Sequence, residues 1–121
     1  MSANERLPLL AGALLAALGV MLGAFGTHGL RGALTPEALG WWQTGVQYQM
    51  WHAIGLVAIG AARIPGSRLA VWLLTPGTLI FAGSLYVMAL TNLRWLGMVT
   101  PWGGGLMIGG WLCLGWRVLR S

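Results

Sequence analysis

The chain has 121 residues, of which 57% are hydrophobic and only 7% are charged. A water-soluble domain carries about a quarter charged residues, so this composition excludes an ordinary soluble fold and predicts one domain, residues 1–121, whose surface faces lipid. The formal net charge of +5 comes from seven arginines that are scattered singly, whereas nucleic-acid binding needs basic residues clustered on one face. The lipid bilayer is therefore the expected partner, and nucleic acid is not expected.

Four apolar runs follow one another along the chain, each about as long as a hydrocarbon core is thick. At about 1.5 Å per residue, roughly 20 residues of α-helix span the ~30 Å core of a bilayer. We therefore predict an all-α fold, a bundle of four transmembrane helices. The predicted spans are residues 7–25, 45–62, 69–90 and 98–116.

Small residues form a stripe along the first span, at Gly12, Gly19, Gly23 and Gly26. Such a stripe lets the backbones of two helices approach closely. We expect these glycines to pack against a neighbouring helix. The span ends in the sequence GAFGTHGLRG, where His28 precedes a long loop.

The second helix has a clear start signal. Thr35 is a good N-cap, Pro36 suits the first helical position, and Glu37 lies near the positive end of the helix dipole. A helix that opens at Pro36 is expected to continue unbroken to Ala62. Its first part then lies in the membrane interface and not in the hydrocarbon.

The stretch WWQTGVQYQMWHAIG, residues 41–55, is unusually polar for the entrance of a membrane span. Thr44, Tyr48 and His52 fall on one helical face, and Gln47 lies on a neighbouring face. One interpretation is an interfacial helix end with a belt of tryptophan and tyrosine, in which the glutamines bond loop backbone, headgroups or water. The other is a polar face that lines a cavity or site. We favour the first, because only His52 lies deep enough for its polarity to be costly.

The two histidines, His28 and His52, lie near the same side of the predicted membrane. A metal needs a third or fourth ligand, and the nearest carboxylate is Glu37, so we expect hydrogen bonds to a loop or partner helix and neither a metal nor a cofactor. We interpret the polar residues as a cap that ties the first loop to the mouth of the bundle and orders the His28 segment. The candidate polar cluster is His28, Thr44, Gln47, Tyr48, His52, Ser84 and Tyr86.

The third and fourth spans carry further signals. Pro76 lies inside the third span, where its missing N–H predicts a kinked helix. The fourth span contains Gly105 and Gly109, four residues apart, which is a second pattern for close helix packing. The lone Cys113 stands in an apolar run and is interpreted as a small buried hydrophobic residue.

Arginine placement predicts the orientation, because basic residues concentrate on the cytoplasmic side. Five arginines flank the termini and the second loop, whereas two lie at the other side. We therefore expect both termini in the cytoplasm, a long non-cytoplasmic loop between helices 1 and 2, and a multi-pass protein of the inner (plasma) membrane. The first group is Arg6, Arg63, Arg68, Arg117 and Arg120, and the second is Arg31 and Arg94.

Four segments together resemble one known family. They are GAFGTHGL (23–30), WQTGVQYQMWHAIGL (42–56), FAGSLYVMALT (81–91) and TPWGGGLMIGGW (100–111). In this order they resemble the domain-of-unknown-function 423 family, which is similar to the animal transmembrane protein 256. The resemblance implies a small four-helix inner-membrane protein and implies no catalytic residues. Pro76 departs from the pattern expected for the third helix.

Three classes of function are compared, and an enzyme or cofactor site that uses His28 and His52 is placed a distant third. We place first an accessory or scaffold subunit of a larger membrane complex, whose partner is another membrane protein or a second copy of the chain, because small-residue stripes and eight tryptophans suit helix contacts. The alternative is a small channel or transporter for a neutral or anionic solute, with a polar mouth around His52. Enzymatic activity is not expected, because no acid–base pair or activated nucleophile is visible.

Overall fold

The computed structural model describes all of residues 1–121 and is entirely helical. It contains four α-helices, which confirms the predicted all-α class and the helix count. A short 3₁₀ helix over Arg94–Met98 precedes the last of them. The α-helices are α1 (Ala3–His28), α2 (Pro36–Ala62), α3 (Arg68–Thr91) and α4 (Thr100–Arg120).

Helix ends follow local chemistry. The Thr35 side chain accepts a hydrogen bond of 3.1 Å from the Ala38 N–H, and Pro36 opens α2 as predicted. The helix then runs without a break to Ala62 and stops at Arg63, whose φ of 52° is left-handed. Both ends of α2 therefore lie where the sequence predicted them.

The third helix continues through its internal proline. It is α-helical on both sides of Pro76 and ends at Asn92, which is left-handed with φ of 59°. The kink expected at this proline stays a prediction.

The helices are arranged around a central pair. α2 lies beside α3, α1 packs along α2, α4 packs along α3, and α1 and α4 do not meet. All four helices contribute to the main core. Its buried residues are Leu15, Ala53, Leu56, Ile59, Val71, Leu74 and Met107. The bundle is thus open on the sides where α1 and α4 have no neighbour.

Two of the helices, α1 and α3, are long and apolar enough to cross a membrane by length and composition. α2 is less apolar because its central turns carry Gln47, Gln49 and His52, and α4 because it is rich in glycine and tryptophan. Four membrane crossings and a cytoplasmic location of both termini therefore stay predictions.

The glycines of α1 lie against α2. A Cβ atom added to Gly12 would lie 2.6 Å from the Ala53 carbonyl oxygen, and one added to Gly26 would lie 2.6 Å from the Trp42 ring. Gly19 and Gly23 face Met50 and Val46 in the same way. Any side chain at the tightest of these positions would push the two helices apart.

The glycines of α4 differ from the prediction. A Cβ atom at Gly105 or Gly109 would meet no atom within 4 Å, so this pair does not pack against any helix of the chain. Gly103 and Gly110 pack instead, and a Cβ atom at Gly103 would lie 2.4 Å from the Phe81 backbone nitrogen. α4 is rotated about its axis so that the face bearing Gly103 meets α3.

Candidate functional site

A buried glutamine joins three helices near the centre of the bundle. Gln49 is only 4% exposed. Its Nε2 donates to the Leu15 carbonyl oxygen of α1 at 2.8 Å, and its Oε1 accepts from the Tyr86 hydroxyl of α3 at 2.6 Å. Both ends of the amide are therefore used, and one side chain on α2 binds both neighbours.

Sequence reasoning placed Gln49 outside the candidate cluster, and only the burial pattern of α2 in the structure reveals it. The buried residues of α2 recur at intervals of four and three, the spacing of a helical seam that faces other helices. They include Ala38, Trp42, Gly45, Gln49, His52, Leu56 and Ile59. This spacing places the glutamine in the packed stripe.

The imidazole of His52 joins α2 to α4. Its Nε2 lies 3.1 Å from Trp111 Nε1, and its Nδ1 lies 2.8 Å from the Tyr48 carbonyl oxygen. Because the indole N–H can only donate, Nε2 must be the acceptor, and Nδ1 carries the proton that goes to the carbonyl. Both nitrogens of a neutral ring are thus engaged in holding the fold together.

The two histidines lie in separate surroundings. His28 is exposed in the last turn of α1. Gly26 faces Trp42 and Gly19 faces Met50, so His52 lies about three helical turns further from this end of the bundle. The predicted cap is therefore wrong in its main member, because His52 does not bond the first loop.

The first loop is held by a tryptophan instead. Trp42 is buried, and its Nε1 donates to the Leu22 carbonyl oxygen at 2.8 Å. Its ring also packs against Tyr86, with centroids 4.7 Å apart, and forms a small core with Leu30 of the loop. The Trp42 ring, which the sequence analysis assigned to an interfacial belt, thus anchors the first loop.

A pair of hydroxyl groups links α3 to the start of α4. The Ser84 and Thr100 oxygens are 2.6 Å apart, and the Ser84 hydroxyl also lies 2.9 Å from the Phe81 carbonyl oxygen. Neither group is left free in the interior. This contact fixes the depth at which α4 begins relative to α3.

The seven residues of the candidate cluster therefore do not form one site. Three of them form separate hydrogen bonds between helices. Tyr86 bonds to Gln49, His52 bonds to Trp111, and Ser84 bonds to Thr100. Tyr48 packs its ring on Phe81, with centroids 4.7 Å apart. The remaining three members lie apart from these joints: exposed His28, half-buried Thr44, and exposed Gln47 in an open groove of about 410 Å³ between α1 and α2.

Comparison with known proteins agrees with this small helical fold. The family model described as "Protein of unknown function (DUF423)" matches residues 22–104, more than half of the chain. The chain belongs to the DUF423 family. No solved structure matches it.

Relatives of this DUF423 protein are named as membrane proteins. A UPF0382 membrane protein of Staphylococcus haemolyticus is 46% identical over 90% of this chain and 92% of its own length. The UPF0382 membrane protein YwdK of Bacillus subtilis is 43% identical, with coverage of 88% and 90%. The UPF0382 inner membrane protein YgdD of Escherichia coli is 37% identical, with coverage of 89% and 86%. The chain is accordingly an integral membrane protein.

Replacing His52 by leucine is expected to destabilise the fold by about 1–2 kcal/mol, because the Trp111 indole N–H loses its acceptor in an apolar setting. Unfolding of the purified protein by SDS titration in mixed micelles measures this cost. His28→Leu is the matched control, since His28 is exposed, and should shift stability by less than about 0.5 kcal/mol. In a Trp111→Phe background the cost of His52→Leu should shrink; an unchanged cost would contradict the assigned bond.

Proposed function

We propose that this DUF423 protein crosses the inner membrane four times and acts as a non-catalytic accessory subunit, which packs α4 against a helix of another membrane protein. The observation that carries the proposal is the outward face of α4. Gly105 and Gly109 lie there with open space around them.

Glycine is unfavourable inside a helix unless another helix must approach its backbone closely. It destabilises a helix interior by about 0.5–1 kcal/mol relative to alanine. Since Gly105 and Gly109 face no helix of this chain, the chain's own packing does not explain them. Large apolar side chains flank them on the same face. These are Ile108, Leu112, Trp116 and Leu119, which are 62%, 69%, 57% and 77% exposed. Such a face suits a partner helix that approaches at the glycines and fits between the larger side chains.

The alternative channel or transporter receives less support. The lining expected for it is Tyr48, His52, Ser84, Tyr86 and Asn92. Of these, Tyr86, His52 and Ser84 are each engaged in hydrogen bonds between helices. Opening a polar path through them would break these bonds in the centre of the bundle. The polar side chains therefore favour a packing role.

The arginine-rich end supports the proposed topology. The Glu5 carboxylate lies 3.8 Å from Arg63, and the Arg117 Nε donates to the Gly66 carbonyl oxygen at 3.2 Å. These contacts hold the N-terminus, the α2–α3 loop and the end of α4 at one end of the bundle. Five of seven arginines lie there, which favours the cytoplasmic side.

The test is the native size of a tagged chromosomal copy after mild extraction from the source membrane. We expect the natural protein to migrate within a defined larger complex and the Gly105→Leu/Gly109→Leu variant to migrate at its free size. Gly40→Leu is the matched control, because a Cβ atom at Gly40 also meets no atom within 4 Å but lies on α2. This control should stay in the complex.

Two outcomes would contradict the proposal. The natural protein could migrate alone as a monomer. Alternatively, the Gly105→Leu/Gly109→Leu variant could remain in the complex as the Gly40→Leu control does. If the complex contains only this chain, the partner is a second copy, and α4 is its interface. Four crossings are tested separately by cysteine labelling from each side of the membrane after replacement of Cys113 by alanine.

A further inference from the structure

α1 and α3 begin side by side at the arginine-rich end, yet they barely touch. An open cavity of about 420 Å³ separates their first turns. It is lined by Ala3, Asn4, Arg6, Leu7, Leu10 and Arg68. The cavity therefore combines two guanidinium groups with an apolar floor.

The two arginines of this cavity lack a carboxylate partner. The chain has two acidic side chains, and neither lines this cavity: Glu5 lines the adjoining cavity, where it lies 3.8 Å from Arg63, and Glu37 pairs with Arg94 at 2.6 Å near the opposite end. Arg6 uses one nitrogen to donate to the Met1 carbonyl oxygen at 3.0 Å, and Arg68 makes no ion pair. The cavity thus has a positive charge that the protein itself does not balance.

A second, more polar cavity adjoins the first. It has a volume of about 290 Å³ and shares Asn4 and Arg68 with its neighbour. Ser2, Ser67 and the Glu5–Arg63 ion pair also line it, and the Ser67 side chain makes no capping hydrogen bond to α3. Hydroxyl groups and the uncapped start of α3 therefore stand next to the guanidinium groups, as an anionic polar group requires.

The apolar side of the gap continues along the same two helices. Leu10, Leu14 and Leu18 follow one face of α1 and are 54%, 58% and 47% exposed. Further from the arginines, an open groove of about 190 Å³ runs between α1 and α3. It is lined by Leu15, Leu18, Leu22, Gln49, Thr78, Leu79, Ala82, Gly83 and Tyr86. A polar, cationic end thus leads into an apolar groove between the two helices that are long and apolar enough to cross a membrane.

We propose that α1 and α3 bind one anionic phospholipid. Its phosphate lies between Arg6 and Arg68, its polar headgroup enters the adjoining cavity, and an acyl chain follows Leu10 and Leu18 toward Gly83. A basic pocket between membrane helices at the cytoplasmic surface suits an anionic headgroup. A zwitterionic lipid fits less well, because Glu5, the one carboxylate in the adjoining cavity, is paired with Arg63 and is not free for an ammonium group. This site is independent of the accessory role proposed for α4.

The experiment is native mass spectrometry of the purified full-length chain from neutral micelles, with phosphatidylglycerol and phosphatidylcholine of identical acyl chains. We expect the chain to retain phosphatidylglycerol preferentially. Each arginine near the surface contributes about five-fold in affinity, so Arg68→Gln should weaken that retention about five-fold and Arg6→Gln/Arg68→Gln about thirty-fold. Arg120→Gln is the matched control, since it removes one exposed charge at the same end without touching the cavity. Arg68→Lys keeps the charge and should retain the lipid.

Two further measurements separate a lipid site from a simple anion site. Gly83→Leu should weaken binding of both lipids, because a Cβ atom at Gly83 meets no atom within 4 Å and the larger side chain would fill the groove. Inorganic phosphate should fail to displace bound phosphatidylglycerol. Equal retention of the two lipids, equal effects of Arg68→Gln and Arg120→Gln, or displacement by phosphate alone would each overturn the proposal.

Discussion

Replacing Gly103 by leucine is expected to separate α4 from α3 and to cost about 3 kcal/mol or more of folding free energy. A Cβ atom at this position would lie 2.4 Å from the Phe81 backbone nitrogen and 2.8 Å from the Gly77 carbonyl oxygen. Both neighbours are backbone atoms, so no side-chain rotation relieves the overlap, and the helices must move apart. SDS titration of the purified protein measures the loss.

The control lies two residues along the same helix. Gly105→Leu introduces the same side chain where a Cβ atom meets nothing within 4 Å, and leucine favours a helix over glycine by about 0.5–1 kcal/mol. The purified Gly105→Leu protein should therefore be as stable as the natural one or slightly more stable. If the two variants unfolded at the same SDS fraction, the orientation of α4 described above would be wrong.

Replacing Gln49 by leucine is expected to destabilise the protein by about 2 kcal/mol. The change removes the bond to the Leu15 carbonyl oxygen and leaves the Tyr86 hydroxyl without its acceptor in the interior. An unpaired buried polar group costs about 1–3 kcal/mol, although membrane helices recover part of this by finding other partners. The same unfolding titration, combined with loss of α1–α2 crosslinking between introduced cysteines, measures the effect.

The matched control for this prediction is Gln47→Leu, two residues earlier. Gln47 is exposed, so its replacement should change stability by less than about 0.5 kcal/mol. A double-mutant cycle with Tyr86→Phe isolates the bond between α2 and α3, and the two changes together should cost less than the sum of the single changes. Strict additivity would show that the two side chains do not interact.

Gly103 and Gln49 illustrate the two kinds of contact that hold the fold together. In lipid, the apolar surfaces of helices gain little by meeting each other, so close backbone contact and hydrogen bonds must supply the association energy. Gly103 provides close backbone contact between α3 and α4. Gln49 provides hydrogen bonds that join α1, α2 and α3. Trp42 and His52 add further bonds on either side of Gln49 along α2.

The sequence by itself determined the lipid-facing composition, the helix count, the start of α2 at Thr35 and Pro36, and the family. Each of these rests on a local or compositional signal. Hydrophobic runs are read from residue type alone, and a capping threonine followed by proline acts within one turn of helix. The polar residues that join helices were in part predictable, since Tyr86, His52 and Ser84 were among the candidates.

Only the tertiary structure decided which face of each helix meets another. In the structure Gly103, and not Gly105, packs against α3, and Gln49, and not Gln47, is buried between helices. The physical reason is that a membrane helix is apolar on all sides, so the contrast that orients a helix in a soluble protein is weak. Rotation of the helix is then set by the fit of glycines and the pairing of a few polar groups, both of which depend on partners distant in the chain.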